Sequence, residues 1–159
     1  LRIHQQEGLP VYERLGDVLS KAMTMGKIAD ILQTRGQPDG ALRILKDEVL
    51  PVFERLGDVR STAVTMGKIA NILQVRGQLD EALRIRQSEE LPVYERLGDV
   101  CSKAVTQANL ALLYFQQGHH DQALPLLDEA ESAFKQMNLP QELAHVQSLR
   151  QHILAQSSS

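Results

Sequence analysis

The chain has 159 residues, a formal net charge of −3 and a single cysteine, Cys101. That balance offers no footprint for nucleic acid or an anionic membrane surface, and one cysteine excludes an intrachain disulfide, in keeping with a reducing, cytoplasmic compartment. Hydrophobic residues make up 43% with aromatics at 4% and no Trp, so the core is one of Leu, Ile, Val, Ala and Met, which suits close-packed helices.

No apolar run approaches the roughly 18 residues of a membrane span, and no signal peptide is visible. Leu1-Arg2-Ile3 matches Leu42-Arg43-Ile44 and Leu83-Arg84-Ile85, so the chain opens in mid-repeat. This reads as a fragment, or as a chain whose beginning is missing. Residues 1–15 are expected to form an orphan second helix that ends at Gly16, with Asp17 capping the next. Gly suits the left-handed residue after a helix, and Asp accepts from the free N–H groups of the following turn.

From Asp17 the apolar residues Ala22, Met25, Ile28, Ala29 and Leu32 fall at spacings of three and four, which predicts a helix to about Arg35. Gly36 stops it. A second helix starts near Pro38 and runs to Leu56, carrying Ala41, Leu42, Ile44, Leu45, Val49, Val52, Phe53 and Leu56 on its apolar face. Gly57-Asp58 then repeats Gly16-Asp17, and Gly98-Asp99 repeats it again, at a period of 41 residues. Residues 16–56 and 57–97 are identical at 29 of 41 positions. A period of this size marks a solenoid of helix pairs, each unit unable to bury its apolar face alone.

The second unit is expected to place helices at about 58–76 and 79–97, and the more diverged third at 99–117 and 120–136. A last helix, about 140–155, carries Ala144, Val146, Leu149 and Ile153 and is otherwise polar, as the end of an array requires. The domain reading is one array over 1–159: orphan helix 1–15, repeats at 16–56, 57–97 and 98–138, and a capping helix at 139–156. The fold class is all-α, a right-handed α–α superhelix of antiparallel pairs with about eight helices.

The proline of Leu50-Pro51-Val52 lies deep in a second helix, where it removes a hydrogen bond and costs about 3 kcal/mol. Pro10 and Pro92 share its place. Ala82 to Gly98 is one residue longer than Ala123 to Asn138, whose helix lacks Leu-Pro-Val. One extra residue in a helix makes a π-bulge. A bulge or kink is therefore expected before Pro10, Pro51 and Pro92, and none in the helix at 120–136.

Small residue, seven positions, Gly, five positions, Ala recurs as Ala29…Gly36…Ala41, Ala70…Gly77…Ala82 and Ala111…Gly118…Ala123, with Tyr114 four before its Gly. This resembles the tetratricopeptide repeat, and the long period with the Leu-Gly-Asp link is similar to its long-helix subclass. Met25, Met66 and Gln107 stand where that family has Trp or Tyr, and Glu48 and Glu89 where it has a late Ala. The resemblance implies first helices lining a concave face that binds an extended or helical peptide. The corresponding positions are Met23, Gly26, Lys27, Asp30, Gln33 and Thr34, then Val64, Gly67, Lys68, Asn71, Gln74 and Val75, then Val105, Ala108, Asn109, Leu112, Phe115 and Gln116. Gly26 and Gly67 either open room for a ligand or let neighbouring helices pack closely. Lys27, Lys68 and Asn109 form a row that either holds a carboxylate or faces solvent.

Chemistry is thin. His119-His120-Asp121 reads as a polar turn with Asp at a helix start rather than a metal site. His145 and His152 lack a third ligand in sequence. Cys101 stands where the other units have Leu19 and Arg60, with no general base evident. Recurrent Glu13-Arg14, Glu54-Arg55 and Glu95-Arg96 are exposed pairs worth little each. The expectation is a non-catalytic scaffold without metal or cofactor, with a protein or peptide partner. The alternative is self-association, a two-fold dimer being its default form.

Overall fold

The computed structural model describes residues 2–157, with side chains from 14 to 156. Among these residues the chain is all-α, in seven helices: α1 (Arg2–Thr34), α2 (38–56), α3 (Val59–Val75), α4 (79–97), α5 (Val100–Gln116), α6 (His120–Gln136) and α7 (Pro140–Ser157). It divides into two compact units, residues 1–72 and 73–159. In the first, α1 packs on α2; in the second, α4 packs on α5, α5 on α6 and α6 on α7. No described helix is long and apolar enough to cross a membrane.

Consecutive helices are joined by one repeated device. Gly36, Gly57, Gly77, Gly98 and Gly118 are all left-handed, with φ between 67° and 83°, and Asn138 takes the same conformation at φ 56°. At each, two hydrogen bonds close the turn: Gly57 N donates to Glu54 O and Asp58 N to Phe53 O, and Gly98 N donates to Glu95 O and Asp99 N to Tyr94 O. This is the Schellman arrangement, which satisfies helix-end carbonyls and needs a residue tolerant of positive φ. Asn is the non-glycine residue best suited to it. After Gly57 and Gly98 the next helix is capped at once by the following aspartate. Asp58 accepts from Ser61 N at 3.0 Å, and Asp99 accepts from Ser102 N at 3.0 Å.

The first such turn in sequence does not form. Gly16, Asp17 and Ser20 repeat the residues that make the other links, yet α1 continues through them as one helix. The expected orphan helix 1–15 is thus continuous with the first helix of the next unit, which is why there are seven helices rather than eight. The physical reason is that a left-handed turn gives up helix hydrogen bonds, and only packing of the reversed helix offsets that loss. In the continuous helix residues 14–20 are all exposed, so the helix keeps its own ladder and leaves this stretch without tertiary contacts.

The bulges at Pro51 and Pro92 are present. Residues Leu45–Val49 and Arg86–Glu90 are π-helical, with Leu50 N donating to Leu45 O and Leu91 N to Arg86 O. Helix α6 is uninterrupted although it carries a proline of its own, Pro125. Proline alone therefore does not make the bulge; the extra residue between a packed alanine and a pinned turn does. For the same reason the bulge expected before Pro10 is absent, because α1 has no turn at Gly16 to pin its length.

The bulge also shifts the packing register by one. One buried stripe in α6 is Ala123, Leu127, Ala130, Phe134; in α2 it is Ala41, Leu45, Val49, Phe53, with Leu42 buried beside it; in α4 it is Ala82, Arg86, Glu90, Tyr94, with Ile85 buried beside it. Val49 and Glu90, not Glu48 and Glu89, stand at the late alanine position, and the latter two point to solvent. In α4 an ion pair thus replaces an apolar pair. Arg86 is 1% exposed and donates from Nη1 to Glu90 Oε2 at 2.9 Å, while the Thr106 hydroxyl lies 3.1 Å from Glu90 Oε1. Burial pushes the Arg86 guanidinium below its usual range and the Glu90 carboxyl above its own, each effect opposed by the other's charge.

Removing one member of a buried ion pair typically costs about 3–5 kcal/mol, whereas replacing both by apolar residues is often neutral or stabilising. Glu90→Val alone is expected to destabilise by that amount. Arg86→Leu/Glu90→Val, which copies the first bulge, is expected to recover wild-type stability in urea melts. Gly98→Ala is expected to cost about 1–2 kcal/mol, from left-handed strain rather than lost contacts, read by the same melts.

Candidate functional site

Unit 1 holds a groove of about 400 Å³ whose walls and floor come from three helices. Ala22, Met23, Gly26, Lys27 and Asp30 of α1 form one wall, Arg60, Ser61, Val64, Thr65 and Lys68 of α3 the other, and Leu45, Val49 and Phe53 of α2 the floor. The walls exist because α1 and α3 carry small or short residues on the facing turn. Gly26 is buried, yet a Cβ built there meets no atom within 4 Å. That observation separates the two readings of this glycine: it does not serve close helix packing, and it leaves space in the groove. The π turn sets the floor, since its extra residue keeps Phe53 on the face that carries Ala41, Leu45 and Val49.

The rim is charged. Lys27, Arg60 and Lys68 face one acid, Asp30, and Lys68 Nζ donates to Asp30 Oδ2 at 3.0 Å. This pair is exposed on both sides and contributes little to stability. Among the described residues Lys27 has no ion-pair partner. At the foot of the α3 wall, Ser61 Oγ donates to Asp58 Oδ2 at 2.7 Å. The Ser61 backbone N–H, and then its hydroxyl, hold the Asp58 carboxyl below the usual carboxylate range.

Unit 2 contains a second groove of about 320 Å³ in the same register, between α5 and α7 over α6. Val105, Ala108 and Asn109 stand where α1 has Met23, Gly26 and Lys27, Phe134 takes the place of Phe53, and Gln141, Glu142, His145 and Val146 form the far wall. The architecture is the same and the charge is not: its lining has no Lys or Arg and one carboxylate, Glu142.

The expected site residues sort accordingly. Met23, Lys27, Asp30, Val64 and Lys68 come together in the first groove, and Asn109 lies in the second. Gln33, Thr34 and Asn71 are not among the lining residues, and the Thr34 hydroxyl donates to Asp30 O at 3.0 Å. Gln74 donates to Gln116 at 2.8 Å, so these two bind each other. Leu112 is half-buried outside the lining. Phe115 is turned inward: its ring lies 5.1 Å from that of His120 and 5.4 Å from that of His152. Gln107, at the position of the missing aromatic, is buried and donates to Glu129 of α6.

The residues missed were Ala22, Arg60, Ser61 and Thr65, the floor, and the α7 wall. The 41-residue register contained part of the signal, because Arg60 and Ser61 lie one turn before Val64, which was already expected at the groove. His119, His120 and Asp121 edge a shallow depression with Gln122 and Gln156. Among the described residues no three His, Cys, Asp or Glu side chains are grouped to hold a metal ion.

Helix pairs joined by left-handed turns and lining a groove define a helical-repeat fold. Residues 61–136 match the family model of the tetratricopeptide repeat. That match spans 76 of the chain's 159 residues, a little under half. No curated protein sequence matches it. Its fold is similar to that of BtubC (BKLC) from P. vanneervenii, with a TM-score of 0.63 at 16% identity over 87% of this chain and 65% of that one. The chain therefore spans under two thirds of that relative. It is also similar to the nearly identical TPR-like repeats of a Podosopora anserina protein described as a kinesin light chain, with a TM-score of 0.60 at 18% identity over 98% of this chain and 92% of that one. A third likeness is to MamA, with a TM-score of 0.53 at 15% identity over 98% and 94%.

Two outcomes test the site's local physics. Gly26→Ala adds a methyl into open space and removes a mid-helix glycine, so it is expected to stabilise by about 0.5–1 kcal/mol in thermal melts. The lowered Asp58 carboxyl stabilises the fold above the ordinary Asp pKa of about 3.9, and that contribution is lost as pH falls through its lower folded value. Asp58→Asn is therefore expected to lose stability at neutral pH and to show a shallower acid transition in a pH titration followed by circular dichroism.

Proposed function

We propose that the chain is a non-catalytic protein–protein interaction scaffold, acting in the cytoplasm, whose unit 1 groove holds a segment of a partner protein. The observation that carries this reading is the groove itself: an apolar floor of Leu45, Val49 and Phe53 beneath a rim of Lys27, Arg60 and Lys68, with room kept open at Gly26. Such a slot suits an apolar side chain flanked by a carboxylate, since apolar contact supplies affinity and a charged rim orients it. Lys68 would exchange Asp30 for the partner's acid. Unit 2 carries its own groove with other rim chemistry, which suits a different side chain.

The test is a selection of displayed peptides on the wild-type chain, followed by affinity measurements on variants that keep the wild-type melt. Met23→Asp and Lys27→Glu/Lys68→Glu are each expected to weaken the selected peptides at least tenfold. Unchanged affinity in both would place recognition elsewhere on the chain.

A further inference from the structure

One face of α1 lacks the cover that its own repeat register calls for. Thr24, Ile28 and Ile31 lie at spacings of four and three, on one side of the helix. Their counterparts one repeat later, Thr65, Ile69 and Ile72, are 3%, 1% and 0% exposed, and two repeats later Thr106, Leu110 and Leu113 are 1%, 1% and 0% exposed. Ile28 and Ile31 are 39% and 52% exposed, and Thr24 is exposed as well. The contrast is specific to this face. Leu15 and Val18 are also exposed, but so are Leu56, Leu97, Val59 and Val100 in the later units, so those positions carry no argument.

The structure shows what covers the equivalent face in unit 2. Residues 79–97 of α4 pack along α5 after the reversal at Gly98. The counterpart of residues 84–97 is residues 2–15, which differ from them at three positions only: His4 for Arg86, Gln6 for Ser88 and Gly8 for Glu90. The chain therefore contains the covering segment. It is not available in the same copy, because α1 is one helix through Gly16. At about 1.5 Å per residue, residues 4 and 28 of a straight helix stand about 36 Å apart along the axis.

We propose that two copies of this chain associate by laying residues 2–15 of each along the Thr24–Ile28–Ile31 face of the other, an antiparallel pairing of the two α1 helices about a two-fold axis near Gly16. The register follows from unit 2. Across α4 and α5, Lys103 meets Glu95 at 3.8 Å and Thr106 meets Glu90 at 3.1 Å. Two repeats earlier these positions are Lys21 with Glu13 and Thr24 with Gly8. Such a pairing is isologous, with each helix giving and receiving the same contact, and it is an exchange of one element between copies across an unfolded-back hinge. Gly16 at the axis lets the two backbones approach without side chains between them. The Lys21–Glu13 pair forms twice and sets the register, and the buried Arg86–Glu90 pair of the unit 2 version is absent, leaving His4 and Gly8 in its place.

The experiment is light scattering coupled to gel filtration on the full chain, across the micromolar range. The expected mass is twice 17.7 kDa. Ile28→Asp/Ile31→Asp changes exposed side chains and is expected to give a monomer with an unchanged far-ultraviolet spectrum. Lys21→Glu is expected to weaken the dimer at least tenfold, and Lys21→Glu/Glu13→Lys to restore it, a rescue that misfolding would not produce. A wild-type monomer at every concentration, as would follow if residues 2–15 folded back on their own copy, overturns the proposal. So does a dimer that persists in Ile28→Asp/Ile31→Asp.

Discussion

Every reversal in the described chain depends on one residue with positive φ and the two hydrogen bonds it allows. The turn is local, but its consequence is not. It sets where each helix stops, so it sets how many residues separate that stop from the last packed alanine. Ala41, Ala82 and Ala123 are fully buried, and none can slide. Between a fixed contact and a fixed turn, a helix has no freedom to absorb an extra residue except by widening its own ladder.

That is the origin of the two π turns, and they shape what lies beneath the groove. The widened turn brings Leu45 and Val49 to the interior together, four apart, where the unwidened α6 presents Leu127 and Ala130, three apart. The same widened turn in α4 holds Arg86 and Glu90. One backbone device thus accepts an apolar pair in one repeat and a hydrogen-bonded ion pair in the next. What distinguishes them is side-chain chemistry rather than geometry, and Thr106 is available to satisfy the second Glu90 oxygen.

The helix content, the turn positions and the bulges before Pro51 and Pro92 were legible in sequence, because each follows from spacing along one helix, and six wall residues of the unit 1 groove were legible through the family resemblance. Met23, Lys27 and Asp30, at spacings of four and three, fall on one face of α1 whatever surrounds them. Phe115 occupies the same sequence register and yet turns inward, because His120 and His152 come from other helices and no spacing within α5 reveals them. Gln74 and Gln116 were legible as exposed polar positions but not as each other's partners. The floor was legible as core, and became part of a site only when two walls were placed over it.

The sequence by itself determined the repeat, the left-handed turns at Gly57 and Gly98, and the pairing of proline with one extra residue, since each is a matter of backbone sterics and chain length. Gly16 marks the limit of that logic. Its neighbours Asp17 and Ser20 are those that reverse the chain at Gly57 and Gly98, and here the helix runs straight. A capping code permits reversal; burial of the reversed helix is what drives it. Only the tertiary structure decides whether that burial is available, because the free energy resides in contacts between helices and not in the turn.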